Sequence, residues 1–143
     1  MIFCSLCSKN ANEIENLWQG FTDKWSVSQM LSAFESGRFF VIGAYQNQKL
    51  IGVICVSIAI DESDIELVYV DQDCRRQGVA RSLVENAFTA LKEKGVNGVF
   101  LEVRESNLPA IKLYESTGFL KLSVRKNYYQ DGENAVVMKK ELL

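Results

Sequence analysis

Apolar residues fall into short runs whose period switches between two and about 3.6 residues, and the switches delimit the expected elements. Met1 to Ser8, with Ile2, Phe3, Cys4 and Leu6, reads as a strand. Asn10 to Gln19 brings Ile14, Leu17 and Trp18 to one face of a helix. A second helix is expected over Ser26 to Glu35, with Ser26 as N-cap, Gln29 completing a capping box, and Met30, Leu31 and Phe34 as its apolar stripe. Phe39 to Tyr45 is a strand, Gln46-Asn47-Gln48-Lys49 a hairpin turn, and Leu50 to Ile60 a central strand buried on both faces. Asp61-Glu62-Ser63-Asp64 turns the chain into a strand that ends at Val70.

Beyond Gly78 an amphipathic helix carries Leu83, Val84, Ala87, Phe88 and Leu91 and stops at Gly95. Val99 to Val103 is a strand. Asn107 can cap the next helix, which tolerates Pro109 in its first turn, holds Ala110, Ile111, Leu113 and Tyr114, and ends before Gly118. Two strands close the chain, Phe119 to Tyr128 and Asn134 to about Leu142, joined by Gln130-Asp131-Gly132-Glu133. The predicted order is β-α-α-β-β-β-α-β-α-β-β: one α/β domain over residues 1–143 with a mixed sheet flanked by helices.

Composition narrows the chemistry. A formal charge of −2 makes a broad nucleic-acid or acidic-membrane footprint unexpected. The longest apolar run is too short to cross a bilayer, and the N-terminus lacks the pattern of a secretory leader, so a cytoplasmic protein is expected. There is no histidine, which removes Ser-His and Cys-His nucleophilic catalysis and the commonest metal ligand. Acid–base work falls to Glu, Asp, Tyr, Lys or Cys. Cys4 and Cys7 have a C-x-x-C spacing, but no second pair completes a zinc site, so no metal is expected. Buried or half-exposed thiols are the default for all four cysteines.

The turn Arg75-Arg76-Gln77-Gly78-Val79-Ala80 lies between the strand ending at Val70 and the long helix. The first N–H groups of a helix lack internal partners and carry the positive end of its dipole. A glycine there admits an anion to the backbone, so the turn reads as a phosphate cradle. The flanking arginines add charge, with Arg75, which also reads as a solvated surface charge, ranking below the loop backbone.

This turn resembles the acyl-CoA pyrophosphate loop of the GCN5-related N-acetyltransferase (GNAT) superfamily, with pattern Gln/Arg-x-x-Gly-x-Gly/Ala. Leu67 to Asp71 resembles that superfamily's fourth strand, and Asn107 with Leu113-Tyr114-Glu115-Ser116-Thr117-Gly118-Phe119 its second CoA motif. Leu101 to Asn107 and Arg125-Lys126-Asn127-Tyr128-Tyr129 further resemble the bacterial ribosomal-protein alanine N-acetyltransferases. Gln72 and Cys74 depart from the pattern where proline and an aromatic are common.

The resemblance implies a GNAT fold and acetyl-CoA as co-substrate. It implies that the N–H groups from Arg76 to Arg81 hold the pyrophosphate and that the backbone of Val68, Tyr69 and Val70 pairs with the pantetheine arm. It gives the Val70 N–H to the thioester carbonyl and Asn107 to the pantetheine. It makes Glu102 the general base and Tyr114 the general acid, and sets Tyr128 and Tyr129 beside a peptide acceptor. On pattern alone Glu102 reads as a solvated strand residue, Tyr114 and the two tyrosines as packing residues, and Trp18 and Trp25 as core. The implied reaction acetylates the N-terminal α-amine of a protein, a small-subunit ribosomal protein by the resemblance. Acetylation of a small-molecule amine, or acyl-CoA sensing without catalysis, are the other readings.

Overall fold

In the computed structural model, which describes residues 1–142, the strands are β1 (Ile2–Leu6), β2 (Phe39–Gln46), β3 (Lys49–Ala59), β4 (Glu62–Val70), β5 (Gly98–Arg104), β6 (Leu120–Arg125) and β7 (Ala135–Glu141). The helices are α1 (Ala11–Leu17), α2 (Val27–Ser36), α3 (Val79–Glu93) and α4 (Leu108–Ser116). The strands form one sheet in the order β1-β2-β3-β4-β5-β7-β6, antiparallel except where β4 and β5 run parallel.

Several boundaries follow from single hydrogen bonds. Ser26 and Gln29 form the expected capping box of α2: Gln29 N–H donates to Ser26 Oγ (3.1 Å) and Ser26 N–H to Gln29 Oε1 (2.8 Å). Asn107 caps α4, its Oδ1 accepting from Ala110 N–H at 3.3 Å. The β2–β3 hairpin turns on Asn47 and Gln48, both at positive φ (52° and 66°), as a tight turn matched to strand twist requires.

Other expectations are corrected. Ser8–Asn10 form a separate 3₁₀ turn, and α1 stops at Leu17 rather than Gln19. Ile60 does not continue β3: it stands in the turn at φ 59° and is 97% exposed, so β4 starts at Glu62 instead of beyond Asp64. β6 ends at Arg125 rather than Tyr128, because Asn127 enters the left-handed region (φ 53°) and turns the chain. Tyr128 and Tyr129 are therefore loop residues.

The sheet buries both faces. On one, α3 packs Val79, Leu83, Val84, Ala87, Phe88 and Leu91 onto Ile42, Ile54, Val56, Val99 and Met138. On the other, α1 and α2 set Ile14, Trp18 and Met30 against Val41, Leu50, Val53 and Cys55. β3 is the shared centre, buried on both sides as its apolar run foretells. Leu83 has no exposed surface, and Leu83→Ala is expected to lower unfolding free energy by about 2–5 kcal/mol, read by urea titration.

Candidate active site

Ladder pairing between β4 and β5 is brief. It runs from Glu62–Gly98 to Ile65–Leu101 and then stops. Glu66 is a bulge, unpaired between Ile65↔Val56 and Leu67↔Cys55. Beyond it β4 follows β3 alone, while Glu102 and Arg104 of β5 pair only with β7. The two strands part like a fork, and Glu102 is the first β5 residue past the branch.

The edge of β4 inside the fork has a defined polarity. Asp71 N–H donates to Ile51 O at 2.7 Å, so strand alternation turns Val70 and Val68 N–H and C=O toward the fork and Tyr69's toward β3. The Val70 carbonyl accepts there from Arg75 Nε at 3.0 Å, and the Arg75 guanidinium lies over the Tyr69 ring at 5.4 Å. Arg75 thus leans on β4 while remaining exposed.

The chain then enters α3 through two left-handed residues, Arg76 (φ 64°) and Gly78 (φ 80°). A non-glycine residue held there costs about 1–2 kcal/mol, a strain found where a loop must aim its N–H groups. Gly78 is the N-cap of α3, and nothing lies within 4 Å of where a side chain would begin, so the helix N-terminus is open. The unpaired N–H groups of Val79, Ala80 and Arg81 face that space. The Arg81 side chain instead ties α3 to α4, donating to Ser116 Oγ at 3.1 Å. Gln77 is exposed within the same loop.

A cleft of about 500 Å³ opens on the α1–α2 side of the fork, a size suited to a small ligand or chain end. Glu102, Tyr128 and Tyr129 line it, as do Asp23, Trp25, Asp64 and Glu66. Four carboxylates thus line it beside Lys24 and Arg125, and one of them, Asp23, is paired from behind with Arg104 at 2.9 Å. Burial, then the Glu102 charge, raises the Asp64 pKa; burial, then Asp64, raises that of Glu66. The Glu102 carboxylate also holds the Tyr128 hydroxyl above its ordinary range, and burial pushes Tyr129 up to about 12.

A carboxyl whose folded pKa is raised stabilises the fold fully below its unfolded value and loses that contribution as pH climbs through the folded one. Asp64→Asn removes the ionisation penalty. Its melting temperature should exceed wild type by about 1–2 °C at neutral pH, with the gap closing below about pH 4. A gap independent of pH in thermal unfolding scans would contradict this.

Tyr114 stands on α4, on the α3 side of the sheet, 7% exposed, with its ring edge-on to Phe119 at 5.6 Å. Burial, with Tyr129 adding to it, raises its pKa strongly. Glu102 and the tyrosine pair therefore share the cleft, whereas Tyr114 comes from the opposite layer. Trp18 is fully buried, and Trp25 walls the cleft. Cys4 and Cys7 are both exposed, while Cys55 is buried and Cys74 intermediate. Periodicity gave no sign of Asp23, Asp64, Glu66 or Arg104; the only cue was Arg104 two positions from Glu102 on the same strand face.

Residues 10–119 match the acetyltransferase (GNAT) family. The chain is 38% identical over 117 residues to the ribosomal protein bS18-alanine N-acetyltransferase of Escherichia coli K12, covering 80% of this chain and 78% of that protein. The crystal structure of the ribosomal-protein-S18-alanine N-acetyltransferase from Escherichia coli superposes with TM-score 0.91 at 32% identity, covering 99% and 93% of the two chains. Ard1 from Thermoplasma volcanium gives 0.88 at 27%, covering 99% and 97%. The parted strands, the open helix terminus and these likenesses agree: the chain belongs to the GNAT family of acetyltransferases, whose acyl donor is acetyl-CoA.

Proposed function

We propose that this protein acetylates the N-terminal α-amine of a ribosomal protein, an alanine like that of bS18, in the cytoplasm. The observation that carries the reading is the fork itself: past Ile65–Leu101 the two strands part, leaving a free β4 edge on one side and Glu102 on the other, with an acidic cleft alongside. The 38% identity to an enzyme named for that acceptor supports the choice of amine.

Each part of the reaction has a residue. The N–H groups from Arg76 to Arg81 suit a pyrophosphate, because they combine a helix N-terminus with a left-handed turn. Val68 and Val70 pair with the pantetheine arm as a further strand would, and Asn107 contacts that arm from the start of α4. Acetyl-CoA supplies an activated thioester. The Val70 N–H donates to its carbonyl oxygen as negative charge grows there. Glu102 takes the proton of the amine, directly or through one water. Tyr114, a neutral phenol at pH 7, donates its proton toward the departing sulfur. The carboxylates attract the ammonium form of the N-terminus, and Tyr128 and Tyr129 border the residues behind it. Holding amine and thioester together supplies about 7–11 kcal/mol of the barrier.

Thiol release from acetyl-CoA tests this with two acceptor panels. Peptides beginning with alanine should release thiol. Release only with small amines would move the enzyme to a small-molecule acceptor, and binding without release in either panel would favour a sensor.

A further inference from the structure

Arg104 follows Glu102 by two residues on β5 and points to the same face of the sheet. It does not line the cleft; it ties together the two loops that do. Nε and Nη2 donate to the Asp23 carboxylate at 3.0 and 2.9 Å, and Asp23 belongs to the α1–α2 loop with Lys24 and Trp25. Nη1 donates to Asp131 (2.8 Å) and Glu133 (3.0 Å) in the β6–β7 loop that carries Tyr128 and Tyr129. The flat face of the guanidinium lies on the Tyr129 ring, 4.1 Å from its centre.

Four N–H donors of one rigid fork thus engage three carboxylates while the plane seats an aromatic ring. Lysine cannot reproduce that geometry. The contacts span 81 residues in one direction and 27–29 in the other, and the Arg104 side chain is only 20% exposed. Glu133 extends the tie by accepting from Ser106 N–H at 2.8 Å, and Tyr128 stands edge-on to Tyr129 at 5.1 Å.

We propose that Arg104 is a positioning residue for the acceptor: it locks the α1–α2 and β6–β7 loops into one frame, so that the peptide N-terminus meets preformed walls. This rests on the acceptor reading given under Proposed function. The frame implies that the groove is preformed before peptide arrives, and that its loss weakens peptide binding without touching the acetyl-CoA side of the fork: Arg104 meets that side only through its backbone carbonyl, which accepts from Asn107 N–H at 2.9 Å and is kept in every side-chain variant.

The test uses the full-length protein and the variants Arg104→Met, Arg104→Lys and Asp23→Ala. Hydrogen exchange is followed at amides in the two loops, Phe21, Lys24, Tyr129 and Gly132, each bonded within its own loop. In Arg104→Met these should exchange about tenfold faster while β3 and α3 keep their protection. Peptide KM should rise about tenfold with kcat changed less than about threefold and acetyl-CoA affinity unaltered. Arg104→Lys should fall between wild type and Arg104→Met. Asp23→Ala, which breaks one arm, should loosen only the α1–α2 loop and provides the reading if Arg104→Met fails to fold. Unchanged loop exchange would overturn the proposal, as would loosened loops with peptide KM unmoved, or a loss confined to kcat. Wild-type silence on the peptide would instead sink the acceptor reading, and the exchange measurement, which needs no substrate, still decides whether Arg104 holds the frame.

Discussion

Glu102→Gln should reduce turnover by about 10²–10⁴-fold while leaving acetyl-CoA affinity unaltered. The substitution keeps the shape and most of the hydrogen-bonding capacity of the side chain, so the loss isolates its ability to take a proton. Position argues for that role. Glu102 is the first β5 residue beyond the last β4–β5 pair, so its β4 side faces the gap while its other side pairs with Val137 of β7. Its carboxylate already contributes to the raised pKa values of Asp64, Glu66 and Tyr128, so its charge reaches across the cleft. Steady-state kinetics give the turnover, and isothermal titration gives acetyl-CoA affinity. A variant within about threefold of wild-type kcat would remove Glu102 from the chemistry, since general-base catalysis is worth far more than that.

Tyr114→Phe should lower kcat by about 10²-fold or more, with peptide KM, acetyl-CoA affinity and melting temperature close to wild type. Phenylalanine keeps the ring and its edge contact with Phe119, so packing is preserved and only the hydroxyl is lost. Burial raises the phenol's pKa, so the hydroxyl carries its proton at neutral pH. If Tyr114 were only a core aromatic, the same change would leave kcat intact. Rapid-quench measurement of the acetyl-transfer step, combined with a thermal melt, separates the two cases.

Local signals were legible in the chain, and the strands' partners were not. The capping box at Ser26 and Gln29, the Asn107 cap and the doubly buried β3 are written into neighbouring residues, and each formed as read. Ile60 extends the apolar run on paper, whereas the hairpin needs a left-handed turn residue there whatever its hydrophobicity. Tyr128 has high strand propensity and lengthens β6 on paper, while the turn at Asn127 is set by backbone conformation. Propensity yields to such geometry routinely.

The site divides the same way. The loop at Gly78, the strand before it, Glu102 and Tyr114 belong to motifs short enough to recognise. Asp64 and Glu66 reach Glu102 only because β4 and β5 pair in parallel for four residues and then part at a bulge, a register no periodicity encodes. Arg104 finds Asp23 across 81 residues, through a loop whose course depends on the whole α1–α2 layer.

The most direct test of the central claim is fragmentation mass spectrometry of an alanine-starting peptide that also contains one lysine, after incubation with the enzyme and acetyl-CoA. The acidic cleft and the fork predict a single acetyl group on the N-terminal amine, and none when that amine is blocked beforehand. Acetylation confined to the lysine side chain, or no transfer while small amines are acetylated, would contradict it.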